Sequence, residues 1–252
     1  MRIVGISLVH NEERFIEHVL LNALALCDCV LVLDNESVDQ TPVIVDRLAA
    51  GDSRIRRLMV PKLSQTHAFA DAYVGTDTWV FGVDGDEVYD PAGLRRLRHR
   101  LLAGEFRSNW MVRAHFLHVT QYFGRIARGY MAPPSHDPSK LFNMSLVRRW
   151  ETRDGLLFSA CENGFALIDG GSYYTGHRFL NRETDWDGSD FRCLHLRFVS
   201  RSVIDGDTDR QAAPRLNPYD RTFHKATENR RDKYRQGELA TVDTRPFLRR
   251  AA

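Results

Sequence analysis

The sequence predicts an α/β fold: a mostly parallel central sheet flanked by helices, then a smaller mixed region, then a polar extension with some helix. Three observations lead there. Apolar runs of strand length alternate with segments of helical period from the start of the chain to about residue 100. Several of those runs end in polar or acidic residues, where a parallel sheet gathers its ligands. Past about residue 104 the alternation stops, and aromatic, proline-containing and arginine-rich stretches follow.

Residues 3–9 form the first apolar run. Asn11 is placed to cap a helix, with Glu12 and Glu13 in its positive first turn. Phe15, Ile16, Val19, Leu20, Ala23 and Leu24 then recur with helical period. Residues 30–33 make a second strand that ends at Asp34, and residues 35–40 are turn-like. Thr41-Pro42 starts a helix that stops at Gly51. Residues 55–60 read as a strand, 66–74 as a helix and 79–83 as a fourth strand, apolar on both faces and therefore internal to the sheet. Pro91 opens a basic helix that reaches about Ala103. Beyond it, residues 110–119, 141–146, 156–158, 165–168 and 191–199 suit strands, 131–139 suit a loop, and pieces of helix suit 222–236.

Strands that alternate with helices imply right-handed βαβ units. His10, Asp34 and Asp84 each end a strand, so they line one edge of the sheet although they are distant in sequence. At that edge Asp84-Gly85-Asp86-Glu87 follows the fourth strand directly. Clustered carboxylates repel one another unless a cation joins them, and Mg²⁺ or Mn²⁺ suits oxygen ligands. The competing account is a solvated turn, since Asp and Gly are turn formers.

Composition narrows the classes. A chain of 252 residues allows one large domain or a domain with a subdomain. A formal charge of +2 supplies no general field for nucleic acid, so no nucleic-acid partner is expected. Arg95, Arg96, Arg98 and Arg100 on the basic helix read as a solvated face. Cys27, Cys29, Cys161 and Cys193 lack zinc-finger spacing and read as free thiols in a reducing compartment. No apolar stretch nears the roughly 18 residues of a membrane span, and no signal peptide of ordinary form is legible. A cytoplasmic protein is expected, with peripheral membrane contact possible.

The turn after the first strand is Val9-His10-Asn11-Glu12-Glu13. It has no glycine, which argues against a dinucleotide fingerprint and against a P-loop. Together with Asp34-Asn35-Glu36-Ser37-Val38-Asp39-Gln40-Thr41 and the run from Trp79 through Asp84-Gly85-Asp86-Glu87, it resembles a family 2 glycosyltransferase of GT-A, Rossmann-like fold. The resemblance covers about residues 1–100. It implies a donor-binding half over 1–104, an acceptor-binding half of the same domain over 105–200 and a C-terminal extension over 201–252. It also implies roles for matching residues. Val9 and Asn11 would face the donor nucleoside, Asp34 would hydrogen-bond the base, Asp84 would approach the ribose or the metal, and Asp86 would bind Mn²⁺ or Mg²⁺. The donor would be a nucleotide-diphospho-sugar, with a UDP-sugar expected, and the acceptor an unidentified hydroxyl-bearing molecule.

A third metal ligand from a late histidine is a further implication. His195 in Cys193-Leu194-His195-Leu196 is the first candidate and His177 the second, each competing with plain packing. Inverting transfer needs a base for the acceptor hydroxyl. Glu162, expected in a loop, is the first candidate, with Asp185 and Asp187 beside Trp186 as rivals. His115 and His118 sit three apart on a strand-like run and cannot share a face, so they are not read as a metal site. Arg125, Arg128 and Lys140 could meet a diphosphate or an anionic acceptor, but they read first as solvated loop charges. Two other classes compete with the transferase: a nucleotidyltransferase, and a non-catalytic nucleotide- or carbohydrate-binding protein on the same scaffold.

Overall fold

A computed structural model describes residues 1–62, 66–135, 139–152, 160–205 and 234–248. The first part alternates as the sequence predicts: β1 (Arg2–Val9), α1 (Ile16–Ala23), β2 (Cys29–Asp34), α2 (Thr41–Gly51), β3 (Ile55–Met59), α3 (His67–Asp71), β4 (Thr78–Gly82), β5 (Glu87–Tyr89) and α4 (Pro91–Leu102). The mixed part holds β6 (Met111–Arg113), β7 (His115–Tyr122), β8 (Ile126–Ala132), β9 (Ser139–Asn143), β10 (Val147–Thr152), β11 (Ala160–Leu167), β12 (His177–Phe179), α5 (Leu180–Glu183), β13 (Arg192–His195) and β14 (Leu239–Asp243).

Two main sheets result. The larger has seven strands in the order β12-β6-β9-β4-β1-β2-β3. Strands β1 to β4 pair in parallel there, while β9 enters between β4 and β6 and runs antiparallel to both. The second has five strands in the order β14-β8-β7-β13-β5, and β10 and β11 form a separate hairpin. Helix α1 packs Ile16, Val19, Leu20 and Ala23 into a core shared with Trp79, Phe81, Tyr89, Phe116 and Phe191, which ties the two sheets together. Burying such side chains stabilises by about 1.5–3 kcal/mol each.

Several local expectations change. Residues 110–119 form two strands in different sheets rather than one: Met111 pairs with Phe142, while Phe116 pairs with Cys193 and Ala132. The C-terminal extension is more than polar helix. It adds β14 to the edge of the second sheet and buries Phe247 in the core. Most of the helix expected over 222–236 lies outside the described residues, as do 156–158. The basic helix is less a free solvated face than an ion-paired one: Arg96 and Arg100 reach Asp190, and Arg98 reaches Asp28. Cys27, Cys29 and Cys193 are free thiols, and Cys161 lies outside the described side chains. Among the described residues no helix is long and apolar enough to cross a membrane.

Candidate active site

The carboxyl ends of the parallel strands form one edge, and its two ends are built differently. At the β1–β2 end the register sets Val9 against Asp34. Asn11 does not cap α1, whose first turn begins after Phe15; it adopts a left-handed φ of 55°. That conformation is uncommon outside glycine, though Asn tolerates it better than most residues. Here it lets Asn11 bridge the two strand exits. Its N–H donates to Ser37 Oγ (3.0 Å), and its Oδ1 accepts from the Val38 N–H (2.9 Å). His10 Nδ1 lies 2.6 Å from the Asn35 carbonyl. Asp34 is buried, and both its oxygens are engaged: Oδ1 accepts from the Ser37 N–H (3.0 Å) and Oδ2 from Arg57 Nη1 (3.1 Å). Arg57 also grips Asp46 at 2.7 Å, so the base-reading carboxylate expected from the sequence arrives with a cation at its side.

At the β4–β5 end the carboxylates meet charges from distant segments. Asp84 keeps 45% of its side chain exposed, whereas Asp86 and Glu87 are buried. Gly85 between them is required: a Cβ there would fall 2.5 Å from Glu12 Cγ, so the absence of a side chain lets the acidic turn close on Glu12. Antiparallel pairing sets Leu141 of β9 opposite Phe81 of β4, which brings Lys140 to the end of β4. Its buried ammonium lies 2.7 Å from Asp84 Oδ2 and 2.8 Å from Glu87 Oε1. Lys140 is thus the buried counter-charge of the turn and not a solvated loop charge. Burial alone would favour its neutral form, but Asp84 and Glu87 hold its pKa above the ordinary value. Burial pushes Glu87 the other way, up to about 8 despite Lys140, and Tyr89 Oη donates to it at 3.1 Å.

Register also delivers the histidine. His195 at the end of β13 pairs with Glu87 on one side and with His118 on the other. The two imidazoles meet Nδ1 to Nδ1 at 2.8 Å beneath Tyr234, with His195 Nε2 turned toward Asp86 Oδ2 at 3.8 Å. Burial drives His195 well below its ordinary pKa, so it is neutral. Just after β13 the Leu196 N–H donates to the Asp86 carbonyl (2.7 Å). Five residues on, Arg201 Nη1 reaches both Glu12 Oε1 (2.6 Å) and Asp86 Oδ2 (2.9 Å). Burial would raise Asp86, but Arg201 foremost, with Arg197 and Lys140, holds it far below the usual carboxylate range.

An ionised carboxylate and a neutral imidazole nitrogen therefore face each other across 3.8 Å, too far for a hydrogen bond. That donor pair suits Mg²⁺ or Mn²⁺, which commonly takes one or two protein ligands and completes its shell from substrate phosphates and water. It is a partial shell and not a cage: among the described residues no three His, Cys, Asp or Glu side chains gather as a metal site. Asp84, tied to Lys140, stands apart from the pair.

The remaining candidates separate. Glu162 lies on β11 rather than in a loop, and its side chain is outside the described part. Asp185 accepts from the Gly188 N–H (2.7 Å) and so closes its own turn, while Asp187 is exposed and reaches Arg192 at 3.4 Å. His177 is placed away from metal duty, with Nε2 2.6 Å from the Tyr173 carbonyl and its ring against Trp110. Sequence reasoning missed Glu12, His118, Lys140 and Arg201 as members of the acidic cluster. Only Lys140 carried a signal, a lysine leading into the apolar Leu141-Phe142 of a strand.

A protein-family model described as glycosyl transferase family 2 matches residues 6–165. No curated protein matches the chain. Among solved structures, Staphylococcus aureus TarS (residues 1–349, in complex with UDP) is 23% identical over 50% of this chain and 37% of that one, with a TM-score of 0.34. Glucosyl-3-phosphoglycerate synthase from Mycobacterium tuberculosis, in complex with Mn²⁺ and UDP-glucose, is 25% identical over 46% of this chain and 43% of that one, with a TM-score of 0.35. The mannosyltransferase PcManGT from Pyrobaculum calidifontis, in complex with GDP-Man and Mn²⁺, is 17% identical over 79% of this chain and 58% of that one, with a TM-score of 0.44. The matched part thus spans less than two thirds of each of these chains.

Proposed function

The chain belongs to glycosyl transferase family 2, and from that premise we propose that it moves a sugar from a nucleotide-diphospho-sugar to a hydroxyl-bearing acceptor, with inversion and with a divalent cation. The observation that carries this reading is the acidic turn after β4, where Asp86 faces His195 and Arg201 on the ligand-binding edge. Val9 and Asn11 would shape the nucleoside end, with Asp34 and its partner Arg57 reading the base. Asp84, half exposed and held by Lys140, would approach the ribose. Asp86 and His195 would hold Mn²⁺ or Mg²⁺, and the bound cation would supply positive charge to the departing diphosphate. Residues 1–104 would carry most of the donor contacts and 105–200 most of the acceptor contacts. Glu162 on β11 is the first choice for the base that takes the acceptor proton, ahead of Asp185 and Asp187, because neither rival is free of a structural duty.

The products test the reading. The full chain is incubated with UDP- and GDP-sugars and Mn²⁺, and the nucleotide product is identified. Release of a nucleoside diphosphate, even by slow hydrolysis, is the expected result. Cleavage of the phosphoanhydride instead, with release of sugar 1-phosphate and transfer of the nucleoside monophosphate, would make the protein a nucleotidyltransferase. Donor binding with no turnover under any acceptor would make it a binding protein.

A further inference from the structure

Arg201 has no role in the reading so far, yet it occupies the middle of the site. A single nitrogen, Nη1, is shared by two buried carboxylates that come from neighbouring strand exits, Glu12 after β1 and Asp86 after β4. The backbone on both sides of Arg201 is pinned. Its carbonyl accepts from the Arg14 N–H (2.9 Å), and Glu13 Oε1 accepts from Ser202 Oγ (2.9 Å) and from the Val203 N–H. Upstream, Leu196 is fastened to the Asp86 carbonyl. The Arg201 Cα therefore stays at the edge whatever its guanidinium touches.

The oxygen that Arg201 holds, Asp86 Oδ2, is the one that faces His195 across the gap suited to a divalent ion. Two cations cannot share one carboxylate oxygen without repelling each other. When a divalent ion occupies Asp86, the guanidinium loses that partner but keeps Glu12, and the anion that arrives with the ion is a diphosphate. A planar fork of N–H donors matches phosphate oxygens well.

We propose that Arg201 is a diphosphate-binding residue which rests on Asp86 until a divalent ion and a nucleoside diphosphate arrive, and then passes its hydrogen bonds from Asp86 to the phosphate. The proposal rests on the nucleotide-sugar reading above. It gives Arg201 opposite effects on two ligands: it competes with the metal ion for Asp86, and it supports the nucleotide.

Calorimetry on the full-length Arg201→Gln and Arg201→Lys proteins separates these effects. Mn²⁺ alone is titrated first, then UDP and GDP at saturating Mn²⁺. For Arg201→Gln the expected result is Mn²⁺ binding about tenfold tighter than wild type and nucleoside diphosphate binding about tenfold weaker, the scale of one charge-assisted hydrogen bond. Arg201→Lys, which keeps the charge but lacks the planar fork, should return Mn²⁺ affinity close to wild type and restore nucleotide binding only in part. If the two affinities fall together, or neither moves, Arg201 is only a structural ion pair and the proposal is overturned. Should Arg201→Gln not fold, the lysine variant decides: it lacks the planar fork, so nucleotide binding must weaken more than Mn²⁺ binding changes, and an unchanged nucleotide affinity overturns the proposal. A wild-type protein that binds Mn²⁺ but neither nucleotide would overturn the nucleotide-sugar reading itself, and the proposal with it.

Discussion

The two ends of the ligand edge differ in what holds their carboxylates. At the β1–β2 end Asp34 is fixed by a neighbour three residues away, Ser37, and by Arg57 on the adjacent strand. At the β4–β5 end Asp84, Asp86 and Glu87 are held by Lys140, His195 and Arg201, which are brought from 50 to more than 100 residues away by β9, β13 and the segment after it. The first end is a locally built shape with its hydrogen bonds already satisfied. The second is an assembly of buried charges that depends on the second sheet being in register. A preformed, neutralised surface suits a base. A buried cluster of charges, in which one cation can give way to another, suits a metal ion and a diphosphate.

That contrast can be broken from the acidic end first. Asp86→Asn should lower turnover by roughly 10³-fold, comparable to losing a strong electrostatic contact in a transition state, while Asn keeps the shape between Arg201 and His195. Turnover within a few-fold of wild type would move the catalytic charge elsewhere. An alanine at this position is a poorer test than the sequence suggests, because Asp86 is buried and its loss would take from Arg201 one of its carboxylate partners.

Lys140→Met comes next. It leaves Asp84 and Glu87 without their shared cation, and breaking a buried pair costs about 3–5 kcal/mol. The half exposure of Asp84 moderates this toward about 3 kcal/mol. Denaturant unfolding should also show a smaller loss at pH 6 than at pH 8, since Glu87 can hold a proton at the lower pH. An effect below experimental error would mean that Lys140 is not the counter-charge of the turn.

At the other end, Asp34→Ala should weaken nucleoside diphosphate binding by about 1–3 kcal/mol, the usual loss for a hydrogen bond to a charged group. It should leave Mn²⁺ binding unchanged, because no described contact links Asp34 to Asp86. A change in Mn²⁺ affinity would erase the distinction between the ends.

The smallest effect is a pH slope. Burial raises Glu87 to about 8 from its ordinary 4.5, so the folded state binds a proton that the unfolded state has released. The stability this proton contributes is fully present below about pH 4.5 and is lost as pH rises to 8. Below pH 6.5 the buried neutral His195 opposes it, since the unfolded histidine takes up a proton there. Between pH 6.5 and 8, stability should therefore fall by at most about 2 kcal/mol, and Glu87→Gln should flatten the slope. A slope that survives in Glu87→Gln belongs to another group.

The same division explains how much was legible in the sequence. Alternating strands and helices fix the order in which parallel strands reach the edge, so Asp34 and Asp84 could be placed together from periodicity and exits alone. Lys140 and His118 could not. One arrives on a strand that runs against its neighbours, and the other on a run that divides after Arg113 between two sheets. Pairing of such strands depends on partners far along the chain, and a period of two or 3.6 residues carries no record of it. Arg201 sits in irregular structure beyond β13, where periodicity says nothing at all. Asn11 misled for a related reason: the residue type that caps helices also tolerates the left-handed backbone, and a contact with the next strand exit decided between them.

In the proposed function the β4–β5 end would bind a divalent cation on Asp86 and His195, and that cation would receive the diphosphate. Calorimetric titration of UDP and GDP into the full-length protein, once with Mn²⁺ and once with excess EDTA, tests it most directly. At least one nucleotide should bind with Mn²⁺, and most of that affinity should be lost in EDTA and in Asp86→Asn. Equal affinity in EDTA and in Mn²⁺ would contradict it.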